Sequence, residues 1–471
     1  MHRGPRLPRP LLPALLLLLP CAPGAAQERP TADAAEPLAY YRMDGLDAIV
    51  TRGDVALEMA FHTRRKDDGR AAVEQLVKSE LVRRAAERTG AWPKPDEVRR
   101  RWDELRRQLR AAGRDPEREP LLRNCSEAAL LDYLAVDLAH EQIVRKELGL
   151  GDDEQVSPAM LELWTRETRQ RATVVDDPDQ LPLGTAVRID GDDVPMLDLG
   201  ILLLRSSDQD ELDSYVRRFV VLEGIDALAR EHGVDASRAD LERELEARRV
   251  MAERDPRFGG LSFEQLLRGQ GLTPEWLLKS RSFRAHVLQK KIIARLHPRA
   301  ALLARAAEDR PAVLAEFGAR RRLAIVFSRA LDEPNQLVPR DFPAAIAHLE
   351  TVRRRLETEP FETVAKIESD DAGTKMRGGD CGWLPRRTDD LPEPVLAVAF
   401  ELGYGEVSPP IRAEDGCYLV KVLGIEPEVT DDTLVERMRE RLVEELTRDL
   451  LREAEIRRVD GSPLDPKADD R

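Results

Sequence analysis

Histidine and cysteine are the residue types best suited to metal or nucleophilic chemistry, and their spacing here matches no common motif. The chain has no His-Glu-x-x-His pair, no Gly-x-Ser-x-Gly turn and no phosphate-binding glycine loop. The sequence therefore predicts neither a metal site nor an organic cofactor. Apart from His2, we interpret the histidines as surface or helix-end residues. These are His62, His140, His232, His286, His297 and His348.

The cysteines do not supply a disulfide framework. Apart from Cys21, which lies in an N-terminal apolar stretch, the chain contains Cys125, Cys381 and Cys417. No Cys-x-x-Cys pair is present, and an odd number of thiols cannot all pair within one chain. One pair could still oxidise in an exported protein, but the spacing does not indicate which.

Residues 320–425 have the pattern of a small α+β domain. The run LAIVF at 323–327 predicts a strand, and helical periodicity follows over 342–356. A glycine-rich passage over 373–382 and a short helix over 394–400 lead to a closing strand at 418–422. Strand, helix, glycine loop, helix and strand within about 100 residues are typical of an α+β domain.

Two helical modules precede this domain, over residues 40–175 and 183–298. Helix stop signals at Gly90 and Gly233 are 233 − 90 = 143 positions apart, and similar apolar stripes precede each of them. We also interpret Arg52-Gly53-Asp54-Val55 and Gly191-Asp192-Asp193-Val194 as equivalent opening turns. The pattern predicts an internal repeat. The alternative is two ordinary helical bundles that share a generic stripe. A long charged helix is predicted over residues 431–457, packing back on a helical module.

The N-terminus has the pattern of a secretory signal over residues 1–26. Basic residues precede a leucine-rich run at 11–19, and small residues at 24–26 allow cleavage before Gln27. The alternative is a lipid anchor at Cys21, which is disfavoured because Pro20 stands where a lipoprotein signal has Gly or Ala. We therefore expect an exported protein of the periplasm or cell envelope.

Composition excludes other classes of function. The 471 residues include 74 Lys and Arg against 88 Asp and Glu, giving a net charge of −14, which disfavours nucleic acid as a partner. Aromatic residues make up 4% and charged residues 34%, a balance typical of charged amphipathic helices. The apolar run at 11–19 is too short to cross a bilayer, which needs about 20 helical residues. The expected fold class is mainly α-helical modules plus one small α+β domain.

Four blocks of the α+β domain resemble a parvulin-type peptidyl-prolyl isomerase in order, spacing and chemistry. They are GGDCGW at 378–383, LPEPV at 391–395 with AFEL at 399–402, GEVSPP at 405–410, and GCYLVKV at 416–422. A signal, helical modules, a parvulin domain and a terminal helix together resemble the exported chaperone-isomerases of the SurA and PrsA type. Two helical modules with one parvulin domain are a departure from that group.

The resemblance implies a site with an apolar and a polar half. The proline pocket of the family corresponds to apolar or soft side chains, for which core packing is the alternative role. These are Cys381, Leu391, Val395 and Phe400. In the polar half, family histidines correspond to Ala324 and Tyr418, and the acidic position is kept as Asp371. Because alanine has no polar side-chain atom, only Asp371 and Tyr418 are candidate catalytic residues.

The leading hypothesis is an exported folding factor that binds unfolded or proline-containing polypeptide, with isomerase turnover reduced or absent. One alternative is an active prolyl isomerase that uses Asp371 and Tyr418. A second is a scaffold of the cell envelope without catalysis. Client identity and oligomeric state do not follow from the sequence.

Overall fold

The computed structural model describes residues 31–43, 45–116, 124–151, 154–254, 258 and 260–464. The predicted signal over residues 1–26, with Cys21, lies outside these residues. The chain forms two compact units. Among the described residues, the first comprises 31–40, Ala48–Val216 and Arg457–Ser462, and the second comprises Tyr41–Asp47, Arg217–Ile456 and residues 463–464.

The elements of the chain up to residue 206 are short strands and longer helices. They are α1 (Thr31–Ala34), β1 (Pro37–Met43), β2 (Leu46–Thr51), α2 (Arg52–Thr63), α3 (Asp67–Thr89), α4 (Pro95–Ala111), α5 (Glu127–Leu148), α6 (Pro158–Arg171), β3 (Val174–Val175), β4 (Thr185–Ile189), β5 (Asp192–Pro195) and α7 (Met196–Ser206).

The next elements are helical. They are α8 (Gln209–Glu231), α9 (Arg238–Arg254), α10 (Phe263–Gly269), α11 (Pro274–Lys279), α12 (Arg281–Leu296), α13 (Arg299–Glu308) and α14 (Arg310–Phe317). The elements that complete the described chain are β6 (Arg321–Arg329), α15 (Phe342–Arg355), α16 (Phe361–Glu368), α17 (Ala372–Lys375), β7 (Asp380–Leu384), α18 (Glu393–Ala399), β8 (Ile411–Arg412), β9 (Gly416–Ile425), α19 (Asp431–Glu453) and β10 (Glu455–Arg458).

In the first unit, α2 packs closely against α7. Gly200 in α7 makes this possible, because a side-chain carbon there would collide with the backbone carbonyl of Ala56 in α2. Helices α3, α5 and α6 share an apolar cluster that includes Val82, Ile143 and Trp164. Since α7 lies within residues 183–298, the predicted second helical module does not coincide with one compact unit.

The interpretation of residues 52–55 as an opening turn is wrong. Thr51 caps α2: its hydroxyl accepts from the Asp54 N–H over 3.2 Å, while the Asp54 carboxylate accepts from the Thr51 N–H over 2.9 Å. This capping box makes residues 52–55 the first turn of the helix. The hairpin turn lies earlier, between β1 and β2, where Gly45 has a φ of 75°. Residues 191–194, by contrast, do belong to the β4–β5 hairpin.

Corresponding helices of the two predicted modules have equal lengths. Helices α3 and α8 each have 23 residues, and α4 and α9 each have 17. A strand hairpin and a helix precede each pair, as β1–β2–α2 and β4–β5–α7. This element order supports an internal repeat, which remains a proposal.

In the second unit, α19 packs against α12, α13 and α14. Leu450 of α19 is buried in a cluster with residues of α8 and α12, among them Ile225 and Leu288. Nearer its start, Leu434 and Met438 pack with Leu302 of α13. The helix ends at Glu453, four residues earlier than predicted, because residues 455–458 form the strand β10.

The α+β part of the second unit is a four-stranded antiparallel sheet with the order β7-β6-β9-β8. Helix α18 covers one face, and α15 and α16 cover the other, so that each face has its own apolar cluster. The expected fold class, mainly α-helical modules plus one small α+β domain, is confirmed. Within the described part of the chain, no helix combines the length and apolar character needed to cross a bilayer.

Candidate functional site

The sheet register determines which predicted site residues meet. Tyr418 in β9 pairs with Phe327 in β6, and their ring centroids are 4.6 Å apart at an interplanar angle of 33°. Side chains alternate between the faces of a strand, so Ala324 faces the opposite side and belongs to the cluster beneath α15 and α16. Phe327 therefore lies opposite Tyr418, and Ala324, the residue that the resemblance relates to a family histidine, lies on the other face of the sheet.

The apolar half of the site lies between the sheet and α18. Leu391, Val395, Phe327 and Tyr418 are buried in one cluster, and half-buried Cys381 packs against it. Burial raises the pKa of the Cys381 thiol to about 12, with the negative charge of Asp371 as the next cause. The thiol is therefore protonated near neutral pH and is not in its nucleophilic thiolate form.

Phe400 is not part of this cluster. Its ring lies beneath two guanidinium groups, with Arg321 at 5.2 Å and Arg386 at 5.9 Å from the ring centroid. Both distances are within the range of a cation–π contact. The structure thus brings together Cys381, Leu391 and Val395 and leaves Phe400 outside, in a contact that holds the end of α18.

Tyr418 has a polar partner that sequence reasoning missed. Its hydroxyl donates a hydrogen bond to the Asp415 carboxylate over 2.6 Å. Burial is the largest cause of a raised pKa for Tyr418, followed by Asp415, so the hydroxyl stays protonated. The only sequence signal for this pair was an acidic residue three positions before the tyrosine, at the start of a strand.

Asp371 is engaged at the start of α17. Its carboxylate accepts from the Thr374 N–H over 2.9 Å, from the Gly373 N–H over 3.4 Å and from the Thr374 hydroxyl. The preceding loop is fixed by Ser369, whose fully buried hydroxyl accepts from the Phe327 N–H over 3.1 Å. Asp371 therefore caps a helical turn while its charge raises the pKa values of Cys381 and Tyr418.

Two glycines allow the chain to pass beside the sheet. Gly378 and Gly379 have φ values of 69° and 83°, in the left-handed region that favours glycine. A side-chain carbon on Gly379 would collide with the carbonyl of Ile325, and one on Gly378 would collide with Glu362. This close approach positions β7, and with it Cys381, at the edge of the apolar cluster.

Comparison with known families assigns the domain. The family model of the PPIC-type PPIASE domain, or rotamase, matches residues 332–424. Together with the four-stranded sheet and its helices, this match shows that the domain is a parvulin-type peptidyl-prolyl isomerase domain.

The rest of the assignment comes from individual relatives. The chain is 29% identical over 99 residues to Foldase protein PrsA 2 of Bacillus anthracis, covering 21% of this chain and 34% of that protein. It is 37% identical over 91 residues to Chaperone SurA of Chromohalobacter salexigens, an alignment that covers 19% of this chain and 20% of that protein. It is also 33% identical over 133 residues to Chaperone SurA of Xylella fastidiosa, an alignment that covers 26% of this chain and 28% of that protein. In the matched regions the chain is similar to SurA and PrsA proteins, and it spans between 20% and 34% of the length of these three relatives.

Among solved structures, the chain is similar to a PpiC-type isomerase domain at 21% identity and a TM-score of 0.21. That alignment covers 24% of this chain and 97% of the solved chain. It is also similar to PrsA from Bacillus anthracis at 17% identity and a TM-score of 0.23, covering 50% of this chain and 94% of the solved chain.

Proposed function

We propose that this chain is an exported folding factor whose parvulin domain binds extended, proline-containing polypeptide, with isomerase turnover reduced or absent. The observation that carries the proposal is the state of Tyr418, whose hydroxyl donates to Asp415 and whose ring packs on Phe327. The resemblance implies a histidine at this position. Here a protonated phenol takes its place and is already bound by a group of its own chain.

Turnover requires more than binding. The barrier to rotation about a peptide bond is about 18–20 kcal/mol, set by amide resonance, and an isomerase must stabilise the twisted state in which that resonance is lost. Polar groups directed at the amide provide such stabilisation. Asp371 accepts from the first turn of α17 and Tyr418 donates to Asp415, so both candidate groups are held by local contacts.

Binding requires less. An apolar pocket that removes a proline ring from water gains roughly 25 cal/mol for each Å² of apolar surface buried. Cys381, Leu391 and Val395 pack in one apolar cluster, and in this proposal they supply the apolar half of the site. The pocket can therefore bind a proline side chain even where the polar half no longer accelerates its isomerisation.

The choice of polypeptide clients and of an exported location rests on other observations. The relatives that match the domain are named as chaperones and foldases. The first 26 residues have the pattern of a secretory signal. Both observations support a folding factor of the periplasm or cell envelope.

A second candidate, an active isomerase, is favoured by one observation. Asp371 lies close enough to raise the pKa values of both Cys381 and Tyr418. Its carboxylate thus acts electrostatically on both halves of the site, as a catalytic acidic group in this place would.

The pocket is tested by a substitution that fills it. Val395 is fully buried and Leu391 is 7% exposed, so a charge at either position would unfold the domain. Half-buried Cys381 is the better position. We expect Cys381→Trp to weaken binding of a fluorescent Ala-Ala-Pro-Phe peptide to the full chain by about tenfold, corresponding to about 1.4 kcal/mol.

The control is Ile367→Trp, at a 59% exposed position on α16 outside the apolar cluster of the site. It should leave the affinity of the same peptide unchanged. Unchanged affinity in Cys381→Trp, with circular dichroism showing an intact fold, would contradict the assignment of the pocket.

A further inference from the structure

The hydroxyl of Tyr418 has a single proton to donate, and the structure shows its acceptor. A tyrosine hydroxyl carries one O–H donor. Here that donor is directed at the Asp415 carboxylate, with 2.6 Å between the two oxygens. A hydrogen bond to a charged acceptor is roughly twice as strong as one between neutral groups. The hydroxyl of Tyr418 is therefore not available to another acceptor while Asp415 is in place.

The same hydroxyl lies at the candidate proline pocket. The ring of Tyr418 is buried in one cluster with Leu391 and Val395. Asp371 and Cys381 both act electrostatically on the hydroxyl, so it lies near the polar and the apolar half of the site. We therefore expect the amide of a bound Xaa-Pro segment to lie close to the Tyr418 hydroxyl.

Asp415 is positioned by a tight turn between β8 and β9. The Ala413 N–H donates to the Gly416 carbonyl over 2.8 Å and so closes the turn. Asp415 is exposed in this turn, three residues before Tyr418 in β9. Because backbone groups close the turn, a change of the Asp415 side chain should leave the fold of the domain intact.

No cation competes with Tyr418 for the Asp415 carboxylate in the part of the chain that the structure describes. Asp415 forms no ion pair there with a lysine, arginine or histidine. Arg412, three residues earlier, pairs with Asp332 instead, over 3.0 Å. A substrate amide offers the hydroxyl only a neutral acceptor, whereas Asp415 offers a charged one. The Tyr418 hydroxyl should therefore stay with Asp415 when a peptide is bound.

We propose that Asp415 is a positioning residue that suppresses turnover, because it holds the Tyr418 hydroxyl away from the amide of a bound Xaa-Pro segment. This inference rests on the proposed function, in which the pocket binds proline and turnover is reduced or absent. Release of the hydroxyl gives the site one donor for the twisted amide, in which resonance is lost. The step makes and breaks no covalent bond, because isomerisation only rotates the peptide bond.

The test compares Asp415→Ala with the unaltered full chain, measuring both binding and cis to trans conversion of an Ala-Ala-Pro-Phe peptide. The variant removes the acceptor and keeps the tyrosine. We expect its kcat for conversion to be about tenfold higher, which is less than the roughly 100–1,000-fold that one preorganised donor contributes. The gain is smaller because no second group orients the freed hydroxyl. The affinity for the peptide should not change, since the apolar cluster is unaltered.

Three further variants separate the hydrogen bond from other effects. Asp415→Asn keeps a side-chain oxygen that accepts from the hydroxyl, so its turnover should stay close to that of the unaltered chain. The matched control Glu414→Ala removes an exposed carboxylate from the same turn and should change neither rate nor affinity. In the double variant Asp415→Ala with Tyr418→Phe, the gain in rate should be lost, because no hydroxyl remains to be released.

The outcomes distinguish this inference from the proposed function. Equal slow conversion by Asp415→Ala and the unaltered chain, with the peptide bound by both, would overturn the role of Asp415 and leave the proposed function standing. A gain that persists in the double variant, or that is as large in Asp415→Asn, would also overturn that role, since release of the hydroxyl would not be its cause. If the unaltered chain binds no proline-containing peptide, the proposed function fails and this inference fails with it.

Discussion

At the scale of single residues, Tyr418 shows how a neighbour changes the chemistry of a position. A phenol can donate or accept, but beside Asp415 it is held as a donor, and burial keeps it protonated. Asp371 is held in a similar way by the first turn of α17. Asp371 and Tyr418, the two candidate polar residues, are therefore both held by hydrogen bonds within the domain.

His140 is a second residue whose environment differs from what the sequence indicated. The interpretation of His140 as a surface residue is wrong: its side chain is 2% exposed inside α5, with its ring 4.9 Å from that of Trp164. Burial lowers the pKa of its imidazole from 6.5 to about 4, with Lys78 as the next cause. The imidazole is therefore neutral at physiological pH.

This burial predicts a dependence of stability on pH. As pH falls below about 6.5, the unfolded chain binds a proton that the folded chain does not bind until about pH 4, so the free energy of unfolding decreases in that window. Between pH 7 and pH 5 we expect a loss of about 2 kcal/mol from this residue. Urea titrations at the two pH values, together with hydrogen exchange of the α5 amides, measure this loss in the free energy of unfolding.

The control for His140 is His140→Gln, which has no group that titrates between pH 4 and pH 7. Between pH 7 and pH 5, the free energy of unfolding of the variant should fall by about 2 kcal/mol less than that of the unaltered chain. An identical pH dependence in the two proteins would show that His140 is not the cause.

At the scale of elements, α19 is part of the helical core of the second unit. Leu450 is 6% exposed and packs with α8 and α12, and a side-chain carbon added at Gly224 would be only 2.9 Å from its Cδ2 atom. Gln289 of α12 also donates to the Thr447 hydroxyl over 2.7 Å. The helix thus closes a core whose other members come more than 150 residues earlier in the chain.

Leu450→Ala should lower the free energy of unfolding of the second unit by about 2–5 kcal/mol, because a large cavity would remain in a packed core. Thermal unfolding with hydrogen exchange of α12 peptides measures the loss. The neighbouring half-buried Leu451 gives the control, since Leu451→Ala should cost about 1 kcal/mol. Equal effects of the two substitutions would contradict the burial of Leu450.

Local signals in the sequence predicted the elements better than their partners. The helix stops at Gly90 and Gly233, the strand at 323–327 and the glycine passage all describe short segments, and each is present in the structure. The pairing of Tyr418 with Phe327 depends on the register between distant strands. A slip of one residue exchanges the faces of a strand, so the sequence pattern alone does not fix which side chains of β6 lie beside Tyr418.

At the scale of the whole molecule, the chain combines a parvulin domain with helical regions that bury their own apolar clusters. The second unit contains the parvulin sheet, while the first contains a cleft lined by Leu105, Leu130 and Tyr133. The family model matches only residues 332–424, and the matches to the SurA and PrsA relatives cover no more than 26% of the chain. The remaining functional argument therefore rests on the contacts within the units.

The most direct test of the central claim measures binding and turnover of the same peptides. The rate of cis to trans conversion of several Xaa-Pro tetrapeptides is measured with the full chain, with Asp371→Ala and with Tyr418→Phe, beside their binding affinities. We predict saturable binding in all three proteins. We also predict that cis to trans conversion stays close to its uncatalysed speed, which means that it takes tens to hundreds of seconds. Strong acceleration by the unaltered chain that falls in both variants would contradict the account and establish an active site built on Asp371 and Tyr418.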